Sequence, residues 1–392
     1  MADSTNPRLQ MQYKRLEAAA SQLEERYKNH AGMLEEVAAA KELVNKYIAA
    51  YEEGKLFFAR DLVASLDRQI DALQQQDGAA DKEDGGGDVV TLEDVIGRQE
   101  SWPLTYPNPS QHKCDTFCIR YSVHQYMTHM SSKYPENLLE VETPLGIVYC
   151  DFVTPSGWPL PDLEAAFRAH QASWDQSVAC QELAATITTS AAALRTPIRK
   201  IVCFGLGRLD DWERTTSEEL AESTRRAATQ HAAALTMAAA LARAQDGDGD
   251  GDGEVRCYVQ DPAYAAVEKE LLATLGFTVL PDPKGFLEVD DATLVFSVHP
   301  NVPVRQVVTD MGWPAAMVWD TIETDRNVDE EGARDYRVET RWGREERVSP
   351  WTTDEGSTRV TEMARHYTYS PFPGNPAENQ FGRLGIYFRK PT

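Results

Sequence analysis

A regular alternation of apolar strand patterns and helical patterns between residues 199 and 320 is the feature that most constrains the fold of this chain. The first strand pattern ends at Gly205 and Gly207, which is typical of a buried strand that leads into a tight loop. Helical patterns separate four further predicted strands, which cover residues 255–260, 277–280, 293–298 and 316–320. Strands that alternate with helices form a parallel sheet covered by helices on both faces. We therefore predict a Rossmann-like, doubly wound α/β fold with a mostly parallel sheet.

Five residues follow or end these strands and form the predicted ligand crevice: Gly205, Gly207, Asp261, His299 and Asp320. In such a sheet, ligands bind at the carboxyl ends of the strands, where the strand order reverses. We expect free backbone N–H groups in the glycine turn to bind an anionic or hydroxyl-bearing ligand. A carboxylate such as Asp261 can accept a hydrogen bond from a ribose.

His299 is the candidate catalytic residue of this crevice, because an imidazole can donate, accept or transfer a proton near neutral pH. Asp320 or Asp261 is the acid that would orient its ring. Two structural alternatives stay open. Asp261 precedes Pro262 and has the chemistry of a turn residue, and His299 can equally be a capping or hydrogen-bonded core histidine.

The glycine turn does not complete a known cofactor motif. In the dinucleotide pattern the third glycine would stand at position 210, which is Asp210. Methyltransferases usually carry an acid two residues before the first glycine, and Cys203 occupies that position. A helix start near Thr215 or Thr216, each followed by a glutamate three residues later, leaves a long loop between the turn and the helix. The sequence therefore identifies no cofactor.

The first 77 residues have a helical pattern. Leu9, Leu16, Leu23 and the later apolar residues recur at steps of three and four up to a predicted helix end at Gly54, and a second amphipathic helix follows. This pattern fits a helical hairpin that buries its apolar stripe on the rest of the chain. It also fits a coiled-coil-like surface for a protein partner or for self-association.

Composition divides the chain into segments. We predict a helical extension over residues 1–77, an acidic, glycine-rich linker over 78–100 and an α/β domain over 101–392. Within that domain the core covers 199–320, a polar insertion covers 322–362, and a final strand at the sheet edge covers 384–389.

The formal net charge of −23 argues against a nucleic-acid partner, because phosphate binding needs a basic surface. No apolar run approaches the roughly 18 residues of a membrane span, and the amino terminus lacks the layout of a secretion signal. We expect a protein of the cytosol, or one that reaches the nucleus. The six cysteines form no disulfide framework, so we expect reduced thiols.

Two segments partly match the patterns of metal sites. His112, Cys114, Cys118, His124 and His129 lie close together, but their spacing does not match a zinc finger. Residues 246–251 match the first half of a calcium loop, but Cys257 stands where a bidentate glutamate is required. We predict no metal site.

The order of the strand motifs resembles the "sensitivity to red light reduced" family. Residues 201–207 are Ile-Val-Cys-Phe-Gly-Leu-Gly, residues 258–264 are Tyr-Val-Gln-Asp-Pro-Ala-Tyr, and residues 293–300 are Thr-Leu-Val-Phe-Ser-Val-His-Pro. Family members similarly show a Gly-Leu-Gly turn, an Asp-Pro after the next strand and a histidine at the end of a Thr-rich apolar strand. Their last motif usually reads Met-Pro-His-Cys, so the histidine is kept here and its neighbours are not. The segments 51–58 and 381–389 are similar to the fungal branch.

The resemblance implies a regulatory role more than a known reaction. Plant relatives are linked to light signalling and the circadian clock, and animal and yeast relatives to haem metabolism and to cytoskeletal or proteasome-related phenotypes. The first hypothesis is a soluble regulatory protein that binds a small ligand or a protein partner, with the N-terminal helices as the docking segment. The second is a nucleotide- or S-adenosylmethionine-dependent enzyme in which the same crevice holds the cofactor.

Overall fold

The computed structural model describes most of the chain, namely residues 6–77, 89–104, 117–149, 157–210, 218–245, 254–322, 334–341, 344–375 and 380–391. Three helices open the chain, and two small two-stranded sheets, a short helix, a 3₁₀ helix and two longer helices follow before the main sheet begins. These elements are α1 (Pro7–Arg26), α2 (Ala31–Glu52), α3 (Arg60–Asp77), β1 (Val89–Glu93), β2 (Gln99–Pro103), β3 (Phe117–Tyr121), α4 (Gln125–Thr128), the 3₁₀ helix Pro135–Glu140, β4 (Leu145–Tyr149), α5 (Leu160–Asp175) and α6 (Val178–Ala191).

The second half of the chain builds the main sheet and the helices that cover it. Its elements are β5 (Lys200–Phe204), α7 (Glu218–Gln245), β6 (Arg256–Gln260), α8 (Ala266–Thr274), β7 (Phe277–Val279), α9 (Lys284–Glu288), β8 (Thr293–Ser297), α10 (Val304–Met311), β9 (Ala316–Asp320), β10 (Arg337–Arg341), β11 (Arg344–Val348), α12 (Thr358–Arg365), β12 (Tyr367–Pro371) and β13 (Leu384–Arg389). The predicted capping residues at 215–216 and the acidic loop at 246–253 lie outside the described residues.

The main sheet has seven strands in the order β12-β13-β9-β8-β5-β6-β7. Five neighbouring strands, from β9 to β7, are parallel, and β13 is antiparallel to both β9 and β12. The predicted mixed α/β fold with a mostly parallel sheet and an N-terminal helical region is therefore confirmed. The chain builds outward from β5 to β7 and then returns to place β8 on the other side of β5, so the strand order reverses between β5 and β8.

The final strand was expected at the sheet edge, and this expectation was wrong. Strand β13 lies between β9 and β12, and β12 forms the edge. Strand β12 has a mostly exposed pattern with no long apolar run, whereas all but the last residue of β13 are buried. A strand with little apolar content gives a weak signal in the sequence, and for that reason the sequence did not reveal the edge.

Strand β5 illustrates why these sequences form central strands, since all its residues from Lys200 to Phe204 are buried. Side chains alternate between the two faces of a strand. Ile201 and Cys203 pack with α5, α6 and the alanine-rich helix α7 on one face. Val202 and Phe204 pack on the opposite face in one core with α1, α2, α3, α9, α10 and α12.

The N-terminal helices therefore contribute directly to the core on one face of the sheet. Their apolar stripe is buried, with Leu16 and Val44 fully covered. Polar contacts join the same regions: the side chain of Asp310 accepts the N–H of Phe57 at 2.8 Å, and Lys284 pairs with Asp67 at 2.9 Å. These contacts agree with the alternative in which the helices bury their apolar stripe on the rest of the chain. The first predicted helix is interrupted between α1 and α2, so the region contains three helices instead of two.

Two small sheets that precede β5 lie outside the main sheet. Strands β3 and β4 pair antiparallel in a two-stranded sheet that is not part of the main sheet. Strands β1 and β2 form a hairpin that begins inside the segment predicted as a linker and ends at Pro103. Residues 78–88 of that segment lie outside the described residues. No helix within the described ranges has the length and apolar character needed to cross a membrane.

Candidate functional site

The predicted site residues lie at the carboxyl edge of the main sheet. Gly205 and Gly207 follow β5, Asp261 follows β6, His299 follows β8, and Asp320 ends β9. A Cβ atom added to Gly205 would lie 3.2 Å from Cα of Pro300, so the turn after β5 touches the chain after β8. This contact lies at the reversal of strand order, where parallel α/β sheets bind their ligands.

His299 and Asp320 form the most exposed polar pair at this edge. Nδ1 of His299 lies 3.2 Å from Oδ1 of Asp320, and the imidazole is 57% exposed whereas the carboxylate is 23% exposed. The two groups are close enough to form an ion pair, but they are not aligned for a hydrogen bond. Oδ1 of Asp320 is buried and has no hydrogen-bond partner. The interaction with Asp320 raises the pKa of His299, although desolvation and the charges of Arg226 and Arg305 act in the opposite direction.

The backbone of His299 is strained. Its φ angle is +46°, which makes it the one residue other than glycine with a positive φ in the described part of the chain. Such a conformation costs a non-glycine residue on the order of 1–3 kcal/mol and occurs often at functional sites. The strain places the imidazole at the end of the strand, beside Asp320, instead of continuing the strand direction.

The segment before β13 covers part of the imidazole. A Cβ atom on Gly382 would lie 2.5 Å from Nε2 of His299, and Gly382 has a φ angle of +67°. The backbone N–H and the hydroxyl of Thr321 both donate to the carbonyl of Arg383 at 2.9 Å. Thr321 follows Asp320, so these bonds fix Gly382 above the pair.

The N–H groups of the glycine turn already donate hydrogen bonds within the protein, whereas free N–H groups were expected. Gly205 donates its N–H to the carbonyl of Gln260 at 3.2 Å, and Gly207 donates to Oδ2 of Asp261 at 3.0 Å. The N–H of Leu209 donates to the buried carboxylate of Glu268 at 2.5 Å. The N–H groups of Gly205 and Gly207 are therefore not the free donors that were expected, because they bond to residues at and after the end of strand β6.

Asp261 has the contacts of a turn residue. Besides the bond from Gly207, its Oδ1 accepts the N–H of Ala263 at 2.9 Å. Desolvation raises the pKa of Asp261, while these two bonds and the charge of Arg208 lower it. The residues predicted to share one crevice therefore form two local pairs along the same edge of the sheet, Gly207 with Asp261 and His299 with Asp320.

A buried ion pair that no sequence pattern indicated lies near the His299–Asp320 pair. Arg305, on α10, donates its backbone N–H and its Nε to Asp354 at 2.9 and 3.0 Å. Both side chains are almost fully buried, and desolvation raises the pKa of Asp354 to about 6 although Arg305 opposes this. Asp354 lies in the predicted polar insertion, and no residue spacing linked it to α10.

Two histidines of the apparent metal cluster are core residues. His124 stacks on Tyr51 with ring centroids 4.2 Å apart, and His129 contacts Gln12 and Trp351. Burial lowers the pKa of both, to about 3 for His129. His112 and Cys114 lie outside the described residues, and the described residues contain no group of three or more histidines, cysteines or acids suited to a metal ion.

Comparison with protein families gives a match between residues 171–388 and the SRR1 domain. This range is more than half of the chain. The chain belongs to the SRR1 domain family. The match begins within α5 and ends one residue before the end of β13, so it includes all of the seven-stranded sheet except Arg389. It also includes His299, Asp320 and Gly382, whereas α1 to α4 precede it. Searches of curated proteins and of solved structures find no match.

Proposed function

We propose that this SRR1-domain protein is a soluble regulatory protein with a Rossmann-like domain that binds a small ligand at the His299–Asp320 pair. One observation carries the proposal: a strained, half-exposed imidazole lies against a partly buried carboxylate at the point where the strand order reverses. Ligands of open α/β sheets bind at this point. The strain at His299 favours a functional role, since a purely structural histidine has no need of it.

The chemistry of the pair suits recognition of a hydrogen-bonding group. Asp320 faces Nδ1 of His299, so Nε2 is the ring nitrogen left to contact a ligand. Because Asp320 raises the pKa of His299, the ring keeps a proton to a higher pH than an ordinary histidine and can donate from Nε2.

The proposal also covers the family branch, the cellular role, the location and the protein partner. Membership of the fungal branch and a role in circadian, light or stress-related signalling follow from the sequence resemblance, and a cytoplasmic or nuclear location follows from the composition. A protein partner on the N-terminal helices would meet their charged outer surface, where exposed residues such as Glu25 and Lys28 pair. The apolar stripe on the inner surface is buried in the core of this chain.

A nucleotide- or S-adenosylmethionine-dependent enzyme is the second candidate. Asp261 favours it, because this carboxylate follows the strand beside β5, where an acid binds a cofactor ribose in dinucleotide folds. The engaged N–H groups of the glycine turn and the backbone bonds to Asp261 argue against it. Asp210, which replaces the third glycine, is buried and pairs with Arg208 at 2.7 Å.

A thermal-shift screen of the full chain tests both candidates, with NAD, NADP, ATP, S-adenosylmethionine and haem among the compounds. A ligand at a hundred times its dissociation constant stabilises the folded state by about 2.7 kcal/mol, which is visible as a shift of a few degrees. Binding that is lost in His299→Gln and in Asp320→Asn supports the proposed function. His366→Gln is the matched control, because this imidazole is 56% exposed and lies 3.7 Å from Glu362.

The outcomes separate the two candidates. A shift that survives His299→Gln but disappears in Asp261→Asn, together with turnover of the bound cofactor, would favour the enzyme. A shift that both His299→Gln and Asp320→Asn remove, without turnover, supports the ligand-binding regulator. A screen without any shift over a broad panel of metabolites would count against a ligand site and leave a scaffold for protein partners.

A further inference from the structure

Gly382 decides how much space surrounds the outward nitrogen of His299. A Cβ atom at this position would lie 2.5 Å from Nε2, which is shorter than any non-bonded contact of such atoms, so any side chain here would displace the ring. The φ angle of +67° at Gly382 is one that glycine adopts without strain. A side chain at position 382 would therefore occupy the space beside Nε2 that glycine leaves free.

Gly382 is held in this position from two sides. Thr321 donates two hydrogen bonds to the carbonyl of Arg383, as described above. On the other side, Nε2 of Gln230, in α7, donates to the carbonyl of Gln380 at 2.9 Å. The segment 380–383 is thus bound both to the end of β9 and to α7.

The same face of α7 brings a cation to the crevice. Arg226 precedes Gln230 by four residues, and residues with this spacing lie on one face of a helix. Its guanidinium is exposed, forms no ion pair within the described residues, and is close enough for its charge to act on His299. Ala227, the next residue, lies 3.5 Å from the position of a Cβ on Gly207, so this part of α7 borders the crevice.

We propose that Nε2 of His299 and the guanidinium of Arg226 together bind an anionic oxygen group of the ligand, a carboxylate or a phosphate, and that Gly382 keeps this position open. The inference rests on the proposed function, since the ligand occupies the same crevice. Guanidinium groups bind carboxylates and phosphates through two parallel hydrogen bonds, and a protonated imidazole adds a third charged donor. In a chain with a net charge of −23, a guanidinium that has no ion-pair partner among the described residues and lies near the imidazole favours the binding of anions at this position.

NMR of the histidine ring nitrogens in the full chain provides the test. The chain has eight histidines, and the signal of His299 is assigned by its disappearance in His299→Gln. Titration with inorganic phosphate and, separately, with acetate should shift the His299 signal and leave that of His366 unchanged. Arg226→Gln should weaken the binding of the effective anion about tenfold or more, as expected for the loss of a charged hydrogen-bond donor. The response to phosphate or to acetate identifies which of the two anionic groups is preferred.

Gly382→Ala should abolish the response of His299 to the anion. Gly54→Ala is its matched control, because Gly54 has a φ angle of +78° and no atom within 4 Å of an added Cβ. The control introduces the same backbone strain without reaching the crevice, and it should bind as the unchanged chain does. If Gly382→Ala does not fold, Arg226→Gln alone decides the result, because Arg226 is exposed and its loss leaves the core intact.

Two results would overturn the inference. The first is a His299 signal that does not respond to either anion, and the second is normal anion binding in Gly382→Ala or Arg226→Gln. Neither result removes the proposed function, which fails only if no compound of the ligand screen requires His299 and Asp320. An uncharged compound that needs both residues would support the crevice and refute its specificity for anions.

Discussion

Asp310, on α10, accepts the backbone N–H groups of Phe57 and Phe58 at 2.8 and 3.2 Å. The same carboxylate pairs with Arg359 at 3.1 Å, and all of these groups are buried or nearly so. Desolvation raises the pKa of Asp310, while Arg359 and the two N–H groups lower it. One side chain therefore joins the segment after α2, the helix between β8 and β9, and α12.

Replacement of this carboxylate should destabilise the whole chain. Asp310→Ala leaves two buried N–H groups and one guanidinium without their acceptor, and removal of one partner of a buried ion pair costs about 3–5 kcal/mol. The free energy of unfolding, measured with urea, checks this value. The exposed Asp291 provides the control, and Asp291→Ala should change the free energy by less than about 0.5 kcal/mol. Equal losses in the two variants would show that Asp310 does not join these segments.

The N-terminal helices should contribute to the same cooperative unfolding transition as the sheet. Leu16, on α1, is fully buried, so Leu16→Ala should lower the free energy of unfolding by about 2–5 kcal/mol. Leu56 is 45% exposed, and Leu56→Ala should lower it by well under 1 kcal/mol. Urea unfolding followed by tryptophan fluorescence checks both, because the fully buried Trp319 lies in strand β9 of the sheet. An early, separate transition in Leu16→Ala would indicate a helical unit that unfolds independently.

Periodicity was sufficient to predict the sheet but not its surroundings. The central parallel strands β5, β8 and β9 are buried on both faces along almost their whole length, and the continuous apolar runs that this requires are visible in single segments of sequence. The stripe of Leu9, Leu16 and Leu23 likewise predicted an amphipathic helix. The position of the N-terminal region against the sheet, however, depends on contacts such as that of Phe57 with Asp310, which are 253 residues apart. Contacts at this separation have no local pattern in the sequence.

The same limit applies to the candidate site. The position of His299 and Asp320 at the ends of neighbouring strands followed from strand alternation alone, because parallel strands share an edge. Gly382 was missed, since its importance lies in the contact with His299 and not in its own sequence neighbourhood. The glycine turn was misjudged for a related reason: whether the N–H of Gly207 is free depends on Asp261, and the sequence does not show which way that carboxylate points.

Asp320 should control the protonation of His299. Asp320→Asn removes the negative charge beside Nδ1, so the pKa of His299 should fall from its raised value, and the desolvation that opposes Asp320 should then dominate. An NMR titration of the ring nitrogens measures this pKa, and His366 serves as the internal control. A pKa that does not change in Asp320→Asn would mean that the 3.2 Å approach does not represent an ion pair in solution.

Protonation of His231 should lower the free energy of unfolding at acidic pH. Its Nδ1 donates to the carbonyl of Ala227 and its Nε2 accepts the hydroxyl of Tyr264, both at 2.7 Å, so the buried ring is neutral. Desolvation lowers its pKa to about 4, whereas the unfolded chain binds this proton near 6.5. The stability from the neutral ring is therefore complete above pH 6.5 and is lost as the pH falls toward 4, by about 1.4 kcal/mol per pH unit.

The comparison with His231→Gln isolates this effect. The free energy of unfolding of both chains is measured with urea between about pH 7.5 and 4.5, and the advantage of the unchanged chain should be largest above pH 6.5 and should shrink below it. Asp282, whose pKa burial raises to about 7, has the opposite effect on stability, because the folded state holds its proton more tightly. Since Asp282 is present in both chains, its contribution cancels in the difference. A difference that stays constant across this range would show that His231 titrates normally in the folded protein and that its two hydrogen bonds do not require the neutral ring.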